Sequence, residues 1–273
     1  PDLIVAAVHA GLGGRGENMT SGIAARVSGI DAIVYGHSHR REPGAYIGDV
    51  LLVQPQQWGM SLARVDFDMK KGAAGWTVAA KRSRLIPVTA KTQADAGILD
   101  LAKPYHDLTE RYLKTPVAES PATLAGVLGR VEDTALVDAI HEVQMHYAKA
   151  DVSFTALFNP RLQVPPGPVT VRQIAALYPY DNDLYAVEGD GRMVKDALEN
   201  AARYYLSCRT PACDQGPLTN RAVMGYNYDM AQGVSYEVDL SRPAGERIRN
   251  LAWKGKPLRP DQKLRIAVNH YRA

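Results

Sequence analysis

Cysteine, net charge and long apolar runs are all scarce in this sequence. Only Cys208 and Cys213 occur among 273 residues, too few for a zinc site, which takes about four protein ligands. They bracket a loop-like stretch, Ser-Cys-Arg-Thr-Pro-Ala-Cys-Asp, and either close a small disulfide, as in an oxidising compartment, or stand as two unrelated thiols. Lys plus Arg number 32 against 29 Asp plus Glu, a formal charge of +3. That excess is too slight to mark a nucleic-acid polymer or a membrane surface as a partner. No apolar stretch approaches the ~20 residues of a membrane helix, and no lysine-led secretory signal opens the chain. An initial methionine is lacking too: Pro1 leads at once into an apolar run, so the chain reads as beginning inside a domain.

What is present is an ordinary globular composition, 46% hydrophobic and 22% charged, which excludes a disordered chain. The length allows one large domain or two modest ones. Residues 2–8 form a continuous apolar run, the pattern of a strand buried on both faces, and residues 30–35 form a second. A short helix near 18–28 between them predicts a parallel β-α-β unit. Runs at 50–54, 60–68 and 76–86 read as antiparallel strands. Residues 93–114 read as helical, with Pro104 predicting a kink or two helices, and place a domain boundary nearby. A helix over 134–148 should turn Leu136, Ile140, Val143 and Tyr147 to one face. Strands are expected at 151–157, 183–188, 233–240, 247–253 and 263–268, with helices at 170–177 and 191–206.

The sharpest motif is Gly36-His37-Ser38-His39, where the strand 30–35 runs out, with His9 at the end of the preceding apolar run. Ligand sites gather at the carboxyl ends of strands in such sheets, and neutral imidazole is a common ligand for divalent transition metals. Three histidines at two adjacent strand ends therefore predict metal ligation, against a plainer role in capping the strands. Gly11-Leu-Gly13-Gly14-Arg-Gly16 competes as a literal dinucleotide fingerprint and would make a dehydrogenase. It lacks an acid at the far end of the second strand, and Glu17 beside the short helix would repel a pyrophosphate. A turn beside the histidines is the better reading.

Val8-His9-Ala10-Gly11 and Gly36-His37-Ser38-His39 resemble the last two motifs of the calcineurin-like metallophosphoesterases. Further stretches narrow the resemblance to the 5′-nucleotidase / 2′,3′-cyclic-nucleotide phosphodiesterase family. These are Arg130-Val-Glu132, Phe158-Asn159-Pro-Arg161, Leu177-Tyr-Pro-Tyr180-Asp-Asn182, the segment Gly189–Glu199, the segment Gly233–Arg247, and Asn269-His-Tyr271-Arg. The resemblance covers essentially the whole chain. It implies a mixed α/β fold: a partial calcineurin-like metallophosphoesterase β-sandwich domain over 1–92, a linker helix region over 93–115, and a 5′-nucleotidase-type substrate domain over 116–273.

By the same resemblance the activity is metal-dependent hydrolysis of a nucleotide or cyclic-nucleotide phosphoester, in a periplasmic or extracellular enzyme. Two divalent ions (zinc, manganese, cobalt or similar) are implied, His9 and His37 holding one and His39 the other. The family's earlier motifs, Asp-x-His, the bridging Asp and Asn-His-Glu with its catalytic histidine, find no counterpart here; Asp2 and Asn18 cannot stand in for them. The chain therefore reads as a fragment, inactive or nearly so alone, with no catalytic residue of its own. Tyr180 and Tyr271 would sandwich the base, and Asn159, Arg161 and Arg130 would bind ribose or phosphate. Without the resemblance the tyrosines read as core residues, and Arg130 as a surface partner of Glu132 or Asp133. Pro160 alone separates Asn159 from Arg161 where 5′-nucleotide relatives have Gly-Gly, which points to the cyclic-phosphodiesterase/3′-nucleotidase branch. A nucleotide-binding module without catalysis is the other reading. His106, His141, His146 and His270 are assigned no part.

Overall fold

The computed structural model describes residues 1–14, 16–73, 75–208 and 218–273. It divides into two compact units, Pro1–Ala102 and Lys103–Ala273. The pairing of Cys208 with Cys213 lies outside the described residues, as does Arg15 of the glycine-rich turn.

The first unit holds β1 (Val5–Val8), α1 (Thr20–Arg26), β2 (Ala32–Tyr35), β3 (Arg41–Ile47), β4 (Val50–Pro55), β5 (Ser61–Gly72) and β6 (Gly75–Pro87). Its sheet has the order β1-β2-β4-β3, with β1 parallel to β2 around α1, as the β-α-β pattern predicts. β2 and β4 lie centrally and read as unbroken apolar runs because both faces are covered. Ala24 of α1 packs on Ile33, Tyr35, Val50 and Leu52. On the other face Ala32, Leu51 and Val53 meet Ala63, Val65, Phe67 and Leu85 of the β5–β6 hairpin. Two expectations are corrected. β4 pairs parallel with β2 and antiparallel with β3, and β1 is an edge strand with Val5 48% exposed. An apolar run announces a strand but not how many neighbours cover it.

α2 (Ala96–Leu113) is one helix through Pro104 with no buried residue. Solvent around it can hydrogen-bond the carbonyl that proline leaves without a donor, so the helix need not break.

The second unit continues with β7 (Pro116–Ser120), β8 (Leu124–Ala125), α3 (Ala135–Ala148), β9 (Val152–Ala156), β10 (Gln163–Val164), β11 (Gly167–Thr170) and α4 (Val171–Leu177). It closes with β12 (Leu184–Asp190), α5 (Gly191–Ala201), β13 (Asp229–Gln232), β14 (Val234–Val238), β15 (Ile248–Trp253), β16 (Lys256–Pro257) and β17 (Lys263–Asn269). The central sheet runs β12-β17-β9-β13, with β17 parallel to β9 and the outer pairs antiparallel. Val194 and Leu198 of α5 pack with Val152, Phe154, Leu264, Ile266 and Ile248 into the main core. A Thr170–Gln173 capping box starts α4, and the Asp190 carboxylate accepts from Met193 N to start α5.

α3 is rotated from its expected face. Leu136, Val137, Ile140, His141, Gln144 and Ala148 are buried, whereas Val143 and Tyr147 are 56% and 74% exposed. Two polar side chains go inward because β9 offers them partners: His141 Nδ1 meets Ser153 Oγ at 3.0 Å, and Gln144 Nε2 donates to Ser153 Oγ and to Phe154 O. Burial holds the His141 imidazole well below the usual histidine range, down to about 4, against a weaker opposing pull from Asp133. The folded state therefore stays neutral there while the unfolded chain takes up a proton below pH ~6.5. Stability is full above that value and falls as pH drops toward 4, at about 1.4 kcal/mol per pH unit. We expect the second unit to lose about 2 kcal/mol between pH 7 and pH 5, read by urea dependence of amide exchange in β9. His141→Asn should flatten that slope; an unchanged slope would exclude His141 as its source.

Candidate functional sites in the two units

In the first unit, β1 and β2 are parallel neighbours, so their carboxyl ends lie side by side. Gly36 N donates to Ala10 O at 3.4 Å across the two exit loops. This sets the His9 and His37 rings edge to face, centroids 5.3 Å apart. His37 and His39 both take left-handed backbone, φ 60° and 55°, an uncommon state for non-glycine residues and one that collects at functional loops. The fully buried Gln54 holds that loop in place: its amide bonds Ser38 Oγ and accepts from Arg40 N at 3.1 Å. His37 Nε2 also meets Glu17 Oε2 at 3.2 Å. The His39 ring lies 6.0 Å from that of Trp58, which is 84% exposed.

The glycine-rich turn folds onto its own helix. Thr20 N donates to Gly11 O and Ser21 N to Leu12 O, both at 3.1 Å, so these α1 amides are already used. A Cβ on Gly11 or Gly13 would collide with the Asn18 side chain. The glycines make room for Asn18, and a pyrophosphate finds no free cradle of amides there.

Two neutral imidazoles fit as part of one divalent cation's ligand set. Among the described residues, no group of three His, Cys, Asp or Glu side chains is placed to hold a metal ion. The structure thus brings the His9 and His37 rings together and sets the His39 ring near Trp58.

In the second unit four of the expected substrate residues, Asn159, Arg161, Tyr180 and Tyr271, lie just after β9, just before β12 and just after β17. Phe158 follows β9 and makes edge contacts with Tyr178 at 5.0 Å and Tyr180 at 4.9 Å. Tyr178 Oη accepts from Asn182 Nδ2 and from Asn269 Nδ2, each at 3.3 Å. That hydroxyl ties the segment carrying Tyr180 to the segment carrying Tyr271. Arg272 then anchors the chain end, its Nε donating to Asp229 Oδ2 at 2.6 Å and its Nη2 to Tyr226 O at 2.7 Å. Tyr180 and Tyr271 themselves stay 52% and 65% exposed, so neither is a core residue. Asn159 Oδ1 accepts from Arg161 N at 3.2 Å, and Arg161 is exposed.

Arg130 is held by partners that neither sequence reading named. Its Nη2 donates to Leu157 O at 2.7 Å and its Nη1 to Tyr204 Oη at 3.3 Å. A Cβ at position 225 would strike the guanidinium, so Gly225 packs directly on it. Neither Glu132 nor Asp133 pairs with it, and its buried Nε has no hydrogen-bond partner. Arg130 also lines a cleft of about 920 Å³ with His141, Tyr205, Tyr228 and Tyr236, which none of Asn159, Arg161, Tyr180 and Tyr271 reaches. Burial pushes the Tyr205 hydroxyl up to about 12. Tyr180 and Tyr271 thus lie outside the cleft that Arg130 lines. The residues passed over in sequence are Phe158, Tyr178, Asn182 and Asn269. Tyr178 and Asn182 flank Tyr180 in the quoted motif, but nothing local marks them as its supports.

Comparison with known proteins bears on both units. The model of the 5′-nucleotidase C-terminal domain matches residues 114–273. The trifunctional nucleotide phosphoesterase protein YfkN of Bacillus subtilis is 26% identical, over 100% of this chain and 22% of its own length. A 2′,3′-cyclic-nucleotide 2′-phosphodiesterase/3′-nucleotidase of Salmonella typhimurium is 28% identical, over 100% and 51%. The chain therefore spans about half or less of these relatives. A crystal structure of a putative 5′-nucleotidase from Staphylococcus aureus shares the fold with TM-score 0.73 at 24% identity, covering 100% of this chain and 55% of that one.

Proposed function

The chain belongs to the family of the 5′-nucleotidase C-terminal domain, and from that premise we propose that it serves metal-dependent hydrolysis of nucleotide phosphoesters. The substrate is a nucleotide or 2′,3′-cyclic nucleotide, in the cyclic-phosphodiesterase/3′-nucleotidase branch. The observation that carries this reading is the pair of exposed tyrosines, Tyr180 and Tyr271, on segments pinned together through Tyr178 Oη. Exposed rings on a rigid base suit stacking of a nucleobase, which tolerates base identity. Asn159 and Arg161 beside Phe158 supply polar groups toward ribose and phosphate, Arg161 through its planar fork. Arg130 spends one N–H on Leu157 O and one on Tyr204 Oη, which leaves its guanidinium further N–H groups for a ribose or phosphate oxygen.

His9 and His37 would hold one divalent ion and His39 a second. Such ions supply Lewis acidity and hydroxide at neutral pH for in-line displacement at phosphorus. The protein's own part is to fix the two imidazoles side by side and to hold their loop through Gln54. The proposed location is periplasmic or extracellular, on the family resemblance; no helix among the described residues is long and apolar enough to cross a membrane.

A second reading, nucleotide binding without catalysis, rests on the same two exposed tyrosines, whose stacking role needs no metal. Metal analysis and a panel of 5′-, 3′- and 2′,3′-cyclic nucleotides decide between them. The 273-residue chain should bind nucleotide with turnover at background, and the full-length gene product should hydrolyse it with metal bound. A full-length product that binds nucleotide and hydrolyses none of the panel would establish the second reading.

A further inference from the structure

The β12–β17 ladder ends in an unusual way. Leu184 is the last residue of β12 to pair, opposite Asn269, so Asp183 and His270 are the next facing pair. In an antiparallel hydrogen-bonded pair the two residues exchange both N–H···O bonds. Here His270 N donates to Asp183 O at 3.0 Å, but Asp183 N donates to the imidazole Nδ1 of His270 at 3.1 Å. A side chain has replaced the main-chain acceptor. The amide can only donate, so Nδ1 must accept and the ring proton lies on Nε2. The carbonyl of residue 270 is released from the ladder, and the backbone turns there toward Tyr271, whose amide donates to Asn269 Oδ1 at 3.0 Å. The same imidazole lies 4.6 Å from the Tyr271 ring and 6.4 Å from that of Tyr185.

We propose that His270 is a positioning residue for nucleoside binding: its Nδ1 latches the Tyr180-bearing segment at Asp183 to the strand end that carries Tyr271. The proposal rests on the nucleoside reading of the two tyrosines. Each is half or more exposed and meets few neighbouring side chains, so the bonds behind them supply order that binding would otherwise have to impose. Tyr178 Oη makes one such tie from the sheet side and His270 the other at the strand end.

The experiment separates the acceptor from the ring, using adenosine as the probe and calorimetric titration of the chain. His270→Asn keeps a side-chain oxygen able to accept from Asp183 N–H; His270→Phe keeps an aromatic ring and loses the acceptor; His270→Ala loses both. Loss of one such bond predicts about tenfold weaker binding for Phe and Ala, with Asn within about threefold of the parent. Amide exchange at Asp183 should accelerate in the Phe and Ala variants and stay slow in Asn. If Phe restores binding and Asn does not, the ring merely packs and the latch is wrong. If the parent binds adenosine and all three variants bind equally, the latch is likewise overturned while the nucleoside reading stands. If the parent binds no adenosine, the nucleoside reading fails and takes this role of His270 with it. The exchange data still report then whether the hydrogen bond exists.

Discussion

Arg247→Met is expected to destabilise the second unit by about 3–5 kcal/mol, the loss typical of breaking a buried, fully hydrogen-bonded charged group. Arg247 is 2% exposed and Glu199 7%. The guanidinium donates to Ala202 O and Tyr205 O at 2.7 Å each, to Ser207 Oγ at 2.7 Å and to Arg242 O at 3.2 Å. Glu199, on α5, accepts from Arg247 N at 2.9 Å and from Ile248 N at 2.8 Å. Together they staple the end of α5, the chain beyond it and the start of β15. Methionine keeps the volume but leaves those carbonyls and the Ser207 hydroxyl without their donor, so its effect isolates hydrogen bonding from packing. Thermal unfolding with amide-exchange readout in β15 checks it. A loss below about 1 kcal/mol, the range of an ordinary surface change, would show that water replaces the guanidinium.

The second large effect belongs to Tyr271. Tyr271→Ala should weaken nucleoside binding by about 5- to 150-fold, the range of a base–aromatic stack at 1–3 kcal/mol. Tyr180→Ala should act similarly, and Tyr271→Phe should stay near the parent because the ring face is kept. The loss should be alike for adenosine and cytidine, since every base has a π-face. Tyr271 is 65% exposed and supports no core, so a binding loss cannot be traced to unfolding; circular dichroism of the variant should match the parent. Equal affinity of parent and Tyr271→Ala would remove the stacking role.

Much of this arrangement was legible in sequence where local pattern suffices. The apolar runs marked β2 and β9, and the β1-α1-β2 pairing followed from their order. The long-range pairings were not legible. β4 takes β2 as a parallel partner, and no periodicity within 50–55 encodes that choice. β3 contains Pro43 and Gly44, which weaken any strand signal, and was missed. The α3 face was misjudged because His141 and Gln144 count as polar in sequence, while Ser153 and Phe154 O make them buriable.

The site residues show the same division. His9 and His37 were expected together from adjacent strand ends and lie together. His37 and His39 both take left-handed backbone, and a motif string carries no backbone angle. Arg130 was visible as a residue type suited to phosphate, but its partners lie far along the chain at Leu157 and Tyr204.

The charges of Arg247 and Glu199 carry one more consequence. Their hydrogen-bond partners are mainly peptide groups, so dissolved ions have little access to compete. Exposed pairs such as Arg82–Asp68 and Lys103–Asp107 fade as ionic strength rises. The molecule thus holds two classes of charged contact, and added salt addresses only one of them. In concentrated brine the surface network would be silent while the staple behind α5 went on holding the second unit's sheets to its helix.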